Sequence, residues 1–157
     1  MINPRAAMVS GLLATLLGLV ACSNAPVTSN SNSSYRPNTT AMTARLAGAN
    51  EVPPTTSNAS GMVDANFDKQ TRVLSWTITY TGLSGPATAG HFHGPADAGV
   101  NAGVALPLTG SLDSPIKGMT TLDAAQAGDL MSGKWYMNLH TAANPNGEIR
   151  GQVSARP

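Results

Sequence analysis

The chain has 157 residues, enough for one domain and a tail. Nine Lys and Arg stand against eight Asp and Glu with no basic run or stripe, which argues against a nucleic-acid partner, and one cysteine excludes an intramolecular disulfide. Aromatic residues (4%) and charged residues (11%) are sparse, whereas Gly (16) and Pro (11) are frequent and long amphipathic helical patterns are absent, so short strands joined by turns are expected rather than helices.

Met1-Ile2-Asn3-Pro4-Arg5 is a short positive start, and residues 6–21 form a compact apolar run. That run is too short for a convincing membrane span and suits a secretory signal. It ends Leu19-Val20-Ala21-Cys22, which resembles the bacterial lipobox. The resemblance implies that residues 1–21 are removed and that Cys22 is lipidated, anchoring the chain to a membrane. Ser23, rather than aspartate, follows the cysteine. By the sorting rule of that lipoprotein family, this implies the outer membrane of a bacterial cell envelope, facing the periplasm or the cell surface. Residues 22–41 are rich in Ser, Asn and Thr, with too little to bury to offset the entropy of ordering. They are expected to be a flexible tether.

The domain is expected over residues 42–157. Thr43-Ala44-Arg45-Leu46 reads as a first strand ending at Gly48. Residues 51–54 hold two prolines and must be extended or turning. Residues 61–68 alternate, with Val63, Ala65 and Phe67 on one face. Residues 73–81 alternate most clearly, Leu74, Trp76, Ile78 and Tyr80 against Ser75, Thr77 and Thr79, and the two runs read as a β-hairpin. A strand around His91 follows, then a loop over 94–103 and a short apolar strand over 104–108 that Pro107 marks as an edge. Residues 121–131 hold at most one short helix, with Asp123 and Gln126 at capping-box spacing. Two last strands, 134–140 and 148–153, flank the turn Asn144-Pro145-Asn146-Gly147. The expected fold is all-β, an antiparallel β-sandwich.

All three histidines fall in two of these strands. Residues i and i+2 of a strand share a face, so His91 and His93 point together and Phe92 points away. In the later strand Trp135, Met137 and Leu139 form a core parity, and Tyr136, Asn138 and His140 form the other. The three imidazoles therefore lie on the non-core side and converge if the strands are neighbours. Arg150 has the parity of the His140 face. Two uses remain open: a metal site, or hydrogen bonds that tie down the 94–103 loop and the backbone beside His140. Asp97 reads as a turn residue ahead of an acceptor that orients an imidazole, and Glu51 and Glu148 as salt-bridge partners of Arg45 or Arg150 ahead of an acid/base pair.

Several stretches resemble the CHRD domain. They are Leu46-Ala47-Gly48-Ala49-Asn50-Glu51-Val52-Pro53-Pro54, Tyr80-Thr81-Gly82-Leu83-Ser84-Gly85, Ala89-Gly90-His91-Phe92-His93-Gly94-Pro95-Ala96, and Trp135-Tyr136-Met137-Asn138-Leu139-His140-Thr141 with Pro145-Asn146-Gly147-Glu148-Ile149-Arg150-Gly151. The resemblance implies a β-sandwich or barrel of immunoglobulin-like type and no particular activity. A second resemblance is to the copper half of copper-zinc superoxide dismutase, also a β-sandwich. It implies His91, His93 and His140 as three copper ligands, with Arg150 attracting a small anion. The chain has no fourth histidine to bridge copper to zinc, no zinc-binding cluster and no disulfide. A dismutase of the full type does not fit, and a copper-only or simply metal-binding site remains. The leading expectation is a non-catalytic envelope module that binds a protein or glycan partner. The alternative is a protein that binds copper, with zinc second, in metal handling or superoxide chemistry.

Overall fold

The computed structural model describes residues 38–157. The leader, the lipidation site Cys22 and most of the tether lie outside the described residues. Among those described are nine strands, one 3-10 turn (Gly48–Asn50) and one α-helix. The strands are β1 (Thr39–Ala47), β2 (Ser60–Asp68), β3 (Val73–Thr81), β4 (Ala87–His93), β5 (Val104–Pro107), β6 (Ile116–Thr121), β7 (Tyr136–Thr141), β8 (Ile149–Gln152) and β9 (Ser154–Ala155). The helix, α1 (Ala124–Met131), lies between β6 and β7.

Every strand pairing is antiparallel, in the order β5-β4-β7-β8-β1-β2-β3-β6. The seam in the middle is thin. One pair, Ala47 with Arg150, joins β8 to β1, and β9 adds two more pairs on β1. The sheet therefore behaves as two leaves folded over a shared core, an all-β sandwich in the form of a half-barrel. β5 and β6 are its free edges, as Pro107 in β5 requires, since proline has no hydrogen to donate to a further strand.

Alternation explains which side of each strand is buried. Val63, Ala65 and Phe67 of β2 and Leu74 and Ile78 of β3 are buried, with Trp76 and Tyr80 packed against them. The other leaf contributes Phe92, Trp135, Met137, Leu139 and Ile149. The leaves meet where Trp76 lies edge-on to Phe92 at 5.5 Å, and Phe92 continues to Trp135 at 6.0 Å. Each of these large side chains contributes roughly 1.5–3 kcal/mol by leaving water. The β2–β3 hairpin closes through Asp68, whose Oδ1 accepts from the backbone N–H of Gln70 and Thr71. Asp123 caps α1: its side chain accepts from Gln126 N–H, and Gln126 accepts in return from Asp123 N–H.

Two elements differ from expectation. β1 starts at Thr39, three residues before the boundary drawn from composition, because Thr39, Thr40 and Ala41 pair with Asp68, Phe67 and Asn66. Backbone pairing, not side-chain burial, holds this polar stretch. β6 was not expected as a strand. Of its residues only Ile116 is buried, and Gly118 erases the alternation. Gly118 lies under the Trp76 indole, where a Cβ would collide with the ring.

Candidate metal centre

The register of β4 on β7 pairs His91 with Asn138, His93 with Tyr136, and Ala89 with His140. β8 adds Arg150 beside Asn138 and Gln152 beside Tyr136. Paired residues of an antiparallel ladder share a face. The non-core face of this leaf therefore carries His91, His93, Tyr136, Asn138, His140 and Arg150 together, as parity requires. The three histidines converge. One ring nitrogen from each lies within 4.8 Å of the others. His91 Nδ1 is 3.1 Å from His140 Nε2, and the His91 ring meets His93 and His140 edge-on at 5.4 and 4.9 Å.

The remaining partners decide which nitrogens are available. His93 Nδ1 lies 3.0 Å from the Ala102 carbonyl, and His140 Nδ1 lies 3.0 Å from the Pro145 carbonyl. A carbonyl only accepts, so each Nδ1 carries the hydrogen and donates it. Both Nε2 atoms are then left with lone pairs. This is the arrangement of ligating histidines, whose second nitrogen is held by a carbonyl or carboxylate. Burial pushes the pKa values of His91 and His93 down. Neighbouring His140 and His93 add to this at His91, while hydrogen bonds to Ala102 and Asn138 oppose it at His93. Neutral imidazole is the form that binds a metal.

The set fits copper or zinc in donor chemistry. Metal–nitrogen bonds of about 2.0–2.1 Å keep two donors within about 4.2 Å of each other, so a bound ion draws in any pair near the wide limit. The site opens into a cavity of about 350 Å³ walled by Glu51, Val52, Asn101, Tyr136, Asn138 and His140. A neighbouring cavity of about 410 Å³ shares Glu51, but no histidine lines it.

The face is stiffened from behind. Tyr136 stacks flat on His93, 4.7 Å between centroids and 2° between planes, and the Arg150 guanidinium lies 3.4 Å from the Tyr136 centroid. Arg150 is almost fully buried and donates to Asn101 Oδ1 (2.8 Å) and the Val100 carbonyl (2.7 Å). It shares the histidine face but spends both terminal nitrogens fastening the 94–103 loop, an arrangement that does not favour attracting an anion. Asp97 pairs with Lys134 at 2.5 Å and touches no imidazole.

Glu51 and Glu148 diverge although both are buried. Burial raises the Glu51 pKa against the pull of Arg150, and its Oε1 lies 3.5 Å from Asn138 Nδ2. Glu148 makes no salt bridge among the described residues. It accepts from the hydroxyls of Ser57 (2.8 Å), Ser84 (2.6 Å) and Thr141 (2.6 Å) and from Ser84 N–H (2.8 Å). Burial alone would raise its pKa, but these donors outweigh it and hold the carboxyl at about 2. Thr141 follows His140, so this clip also fixes the end of β7. Sequence reasoning missed Asn138 as a member of the site. Its Oδ1 lies 3.0 Å from His140 Nε2 and 3.1 Å from His93 Nε2. The available signal was its position two residues before His140 on the same face.

Comparison with known proteins identifies the family of the domain. Chordin of Xenopus laevis is 32% identical over 117 residues. The match covers 69% of this chain but only 12% of Chordin, so it concerns one segment of a much longer protein. No solved structure matches. The model of the CHRD domain family matches residues 42–153, which include all three histidines, Asn138, Glu148 and Arg150, and the chain belongs to that family.

Proposed function

We propose that this chain is an envelope-tethered CHRD module that binds one transition-metal ion, copper in preference to zinc, through His91, His93 and His140. The observation that carries the reading is the pair of backbone carbonyls, Ala102 and Pro145, that hold the Nδ1 hydrogens of His93 and His140. They leave both Nε2 lone pairs aimed into one space beside His91 Nδ1. A histidine used only to fasten a loop needs one such bond and no convergence. Imidazole donors favour copper over zinc by intrinsic affinity. Binding rather than turnover is the proposed activity, since fold and donor type do not fix a reaction.

The tether reading rests on the apolar run and Cys22. Labelling with a radioactive fatty acid in a bacterial host, lost in Cys22→Ser, supports it; equal labelling of both proteins refutes it. For the metal, His91→Ala, His93→Ala and His140→Ala are each titrated with Cu(II) and Zn(II) against a competing chelator. Each change is expected to weaken binding at least about tenfold while the β-sheet circular dichroism persists. An ion held by only one of the three histidines contradicts the site.

A further inference from the structure

We infer that Asn138 supplies a fourth donor, its side-chain amide oxygen, to the ion held by His91, His93 and His140. The inference rests on the metal reading above and adds a ligand that the histidine pattern does not contain.

Asn138 is buried at the centre of β7, paired with His91 on one side and Arg150 on the other. Its neighbours Met137 and Leu139 are fixed in the core, so its side chain has one direction to take. Oδ1 lies 3.0 Å from His140 Nε2 and 3.1 Å from His93 Nε2. Those two rings have already given their Nδ1 hydrogens to Pro145 and Ala102. The one ring hydrogen that can enter is on His91 Nδ1, 3.1 Å from His140 Nε2, and it leaves His93 Nε2 and Asn138 Oδ1 facing each other as acceptors at 3.1 Å. Buried acceptors facing each other repel, and burial without a partner costs free energy. A cation at their focus turns the same arrangement into coordination.

The other end of the amide supports this orientation. Nδ2 faces the Glu51 carboxylate at 3.5 Å, where a donor is wanted. Gly147, at φ +125°, packs directly against Glu51 and Asn138, and any side chain there would displace them. The competing arrangement is the reversed amide, which would give one Nδ2 hydrogen to each Nε2 and turn Oδ1 towards Glu51. In that arrangement Asn138 is a hydrogen-bond partner of a metal-free cluster and no ligand.

The test uses the full protein in detergent, with Cu(II) as probe, and compares wild type with Asn138→Leu and Asn138→Asp. Leucine keeps the branched shape, at somewhat larger volume, and removes every metal-donor atom; aspartate keeps an oxygen in place. Affinity is read by chelator competition and the donor set by electron paramagnetic resonance. Wild type is expected to bind one equivalent. Asn138→Leu should bind about 10–100-fold more weakly with a changed parallel region, and Asn138→Asp should bind as tightly or more so. Unchanged affinity and spectrum in Asn138→Leu overturn the inference while leaving the three-histidine site intact. If wild type binds no copper, the metal reading itself fails. If Asn138→Leu does not fold, Asn138→Asp decides, and a loss there of more than about tenfold overturns the inference.

Discussion

Glu148 gives the sharpest forecast from the fold. It is fully buried with no cation against it among the described residues, and three hydroxyls and one backbone N–H supply its stabilisation. These donors come from Ser57, Ser84 and Thr141, so one carboxylate fastens three separate segments. Its folded pKa of about 2 lies below the ordinary 4.5. At about 1.4 kcal/mol per unit, that displacement is worth about 3 kcal/mol. A depressed carboxyl contributes this stability in full above its unfolded value. The contribution is lost as pH falls from about 4.5 through about 2. Urea unfolding of wild type and Glu148→Gln between pH 2 and 7 reads the effect. Glutamine should cost about 2–3 kcal/mol at pH 7, with the gap closing towards pH 2. A constant difference across that range would refute the account, because it would mean that the site binds shape and not charge.

Three further outcomes follow from the same contacts. Arg150→Met keeps the packing on Tyr136 but leaves Val100 O and Asn101 without their donor. It should cost about 2–4 kcal/mol in urea unfolding and speed hydrogen exchange in the 96–102 loop more than in β2 or β3. Asp123→Ala removes the side-chain bond of the helix cap and leaves the backbone N–H bond to Gln126, and should cost about 1 kcal/mol, without changing metal affinity by titration. Gly118→Val drives a side chain into the Trp76 indole and should lower the melting temperature by several degrees, visible in the tryptophan fluorescence transition.

Much of the sandwich was legible because period-two burial leaves a plain trace. The Leu74, Trp76, Ile78, Tyr80 series and the Val63, Ala65, Phe67 series both face the core, and the hairpin between them forms in the expected place. Parity also put all three histidines on one side, and the β4–β7 pairing brought them together. What parity cannot supply is the loop that covers a face. Arg150 lies on the side that parity assigns to it, but nothing in its own strand reveals that the 94–103 loop folds over it. Glu148 was assigned a salt bridge for the same reason. Its partners are hydroxyls 91, 64 and 7 residues away, and Ser and Thr are too common here to single out. β6 was missed because a glycine replaced the residue that would have shown its alternation. Asn138 was seen as a face residue and not as a ligand, since asparagine acquires that meaning only once both Nε2 atoms are located.

Metal stoichiometry tests the central claim most directly. The protein, purified without a His tag and stripped with chelator, is offered Cu(II) and Zn(II), desalted and analysed by elemental mass spectrometry. The three-histidine site predicts one retained equivalent, copper in preference to zinc, that disappears when His91, His93 and His140 are all changed to Ala. No retained metal in the wild type, or the same equivalent in the triple variant, would contradict it and leave the histidines as the fastenings of two loops.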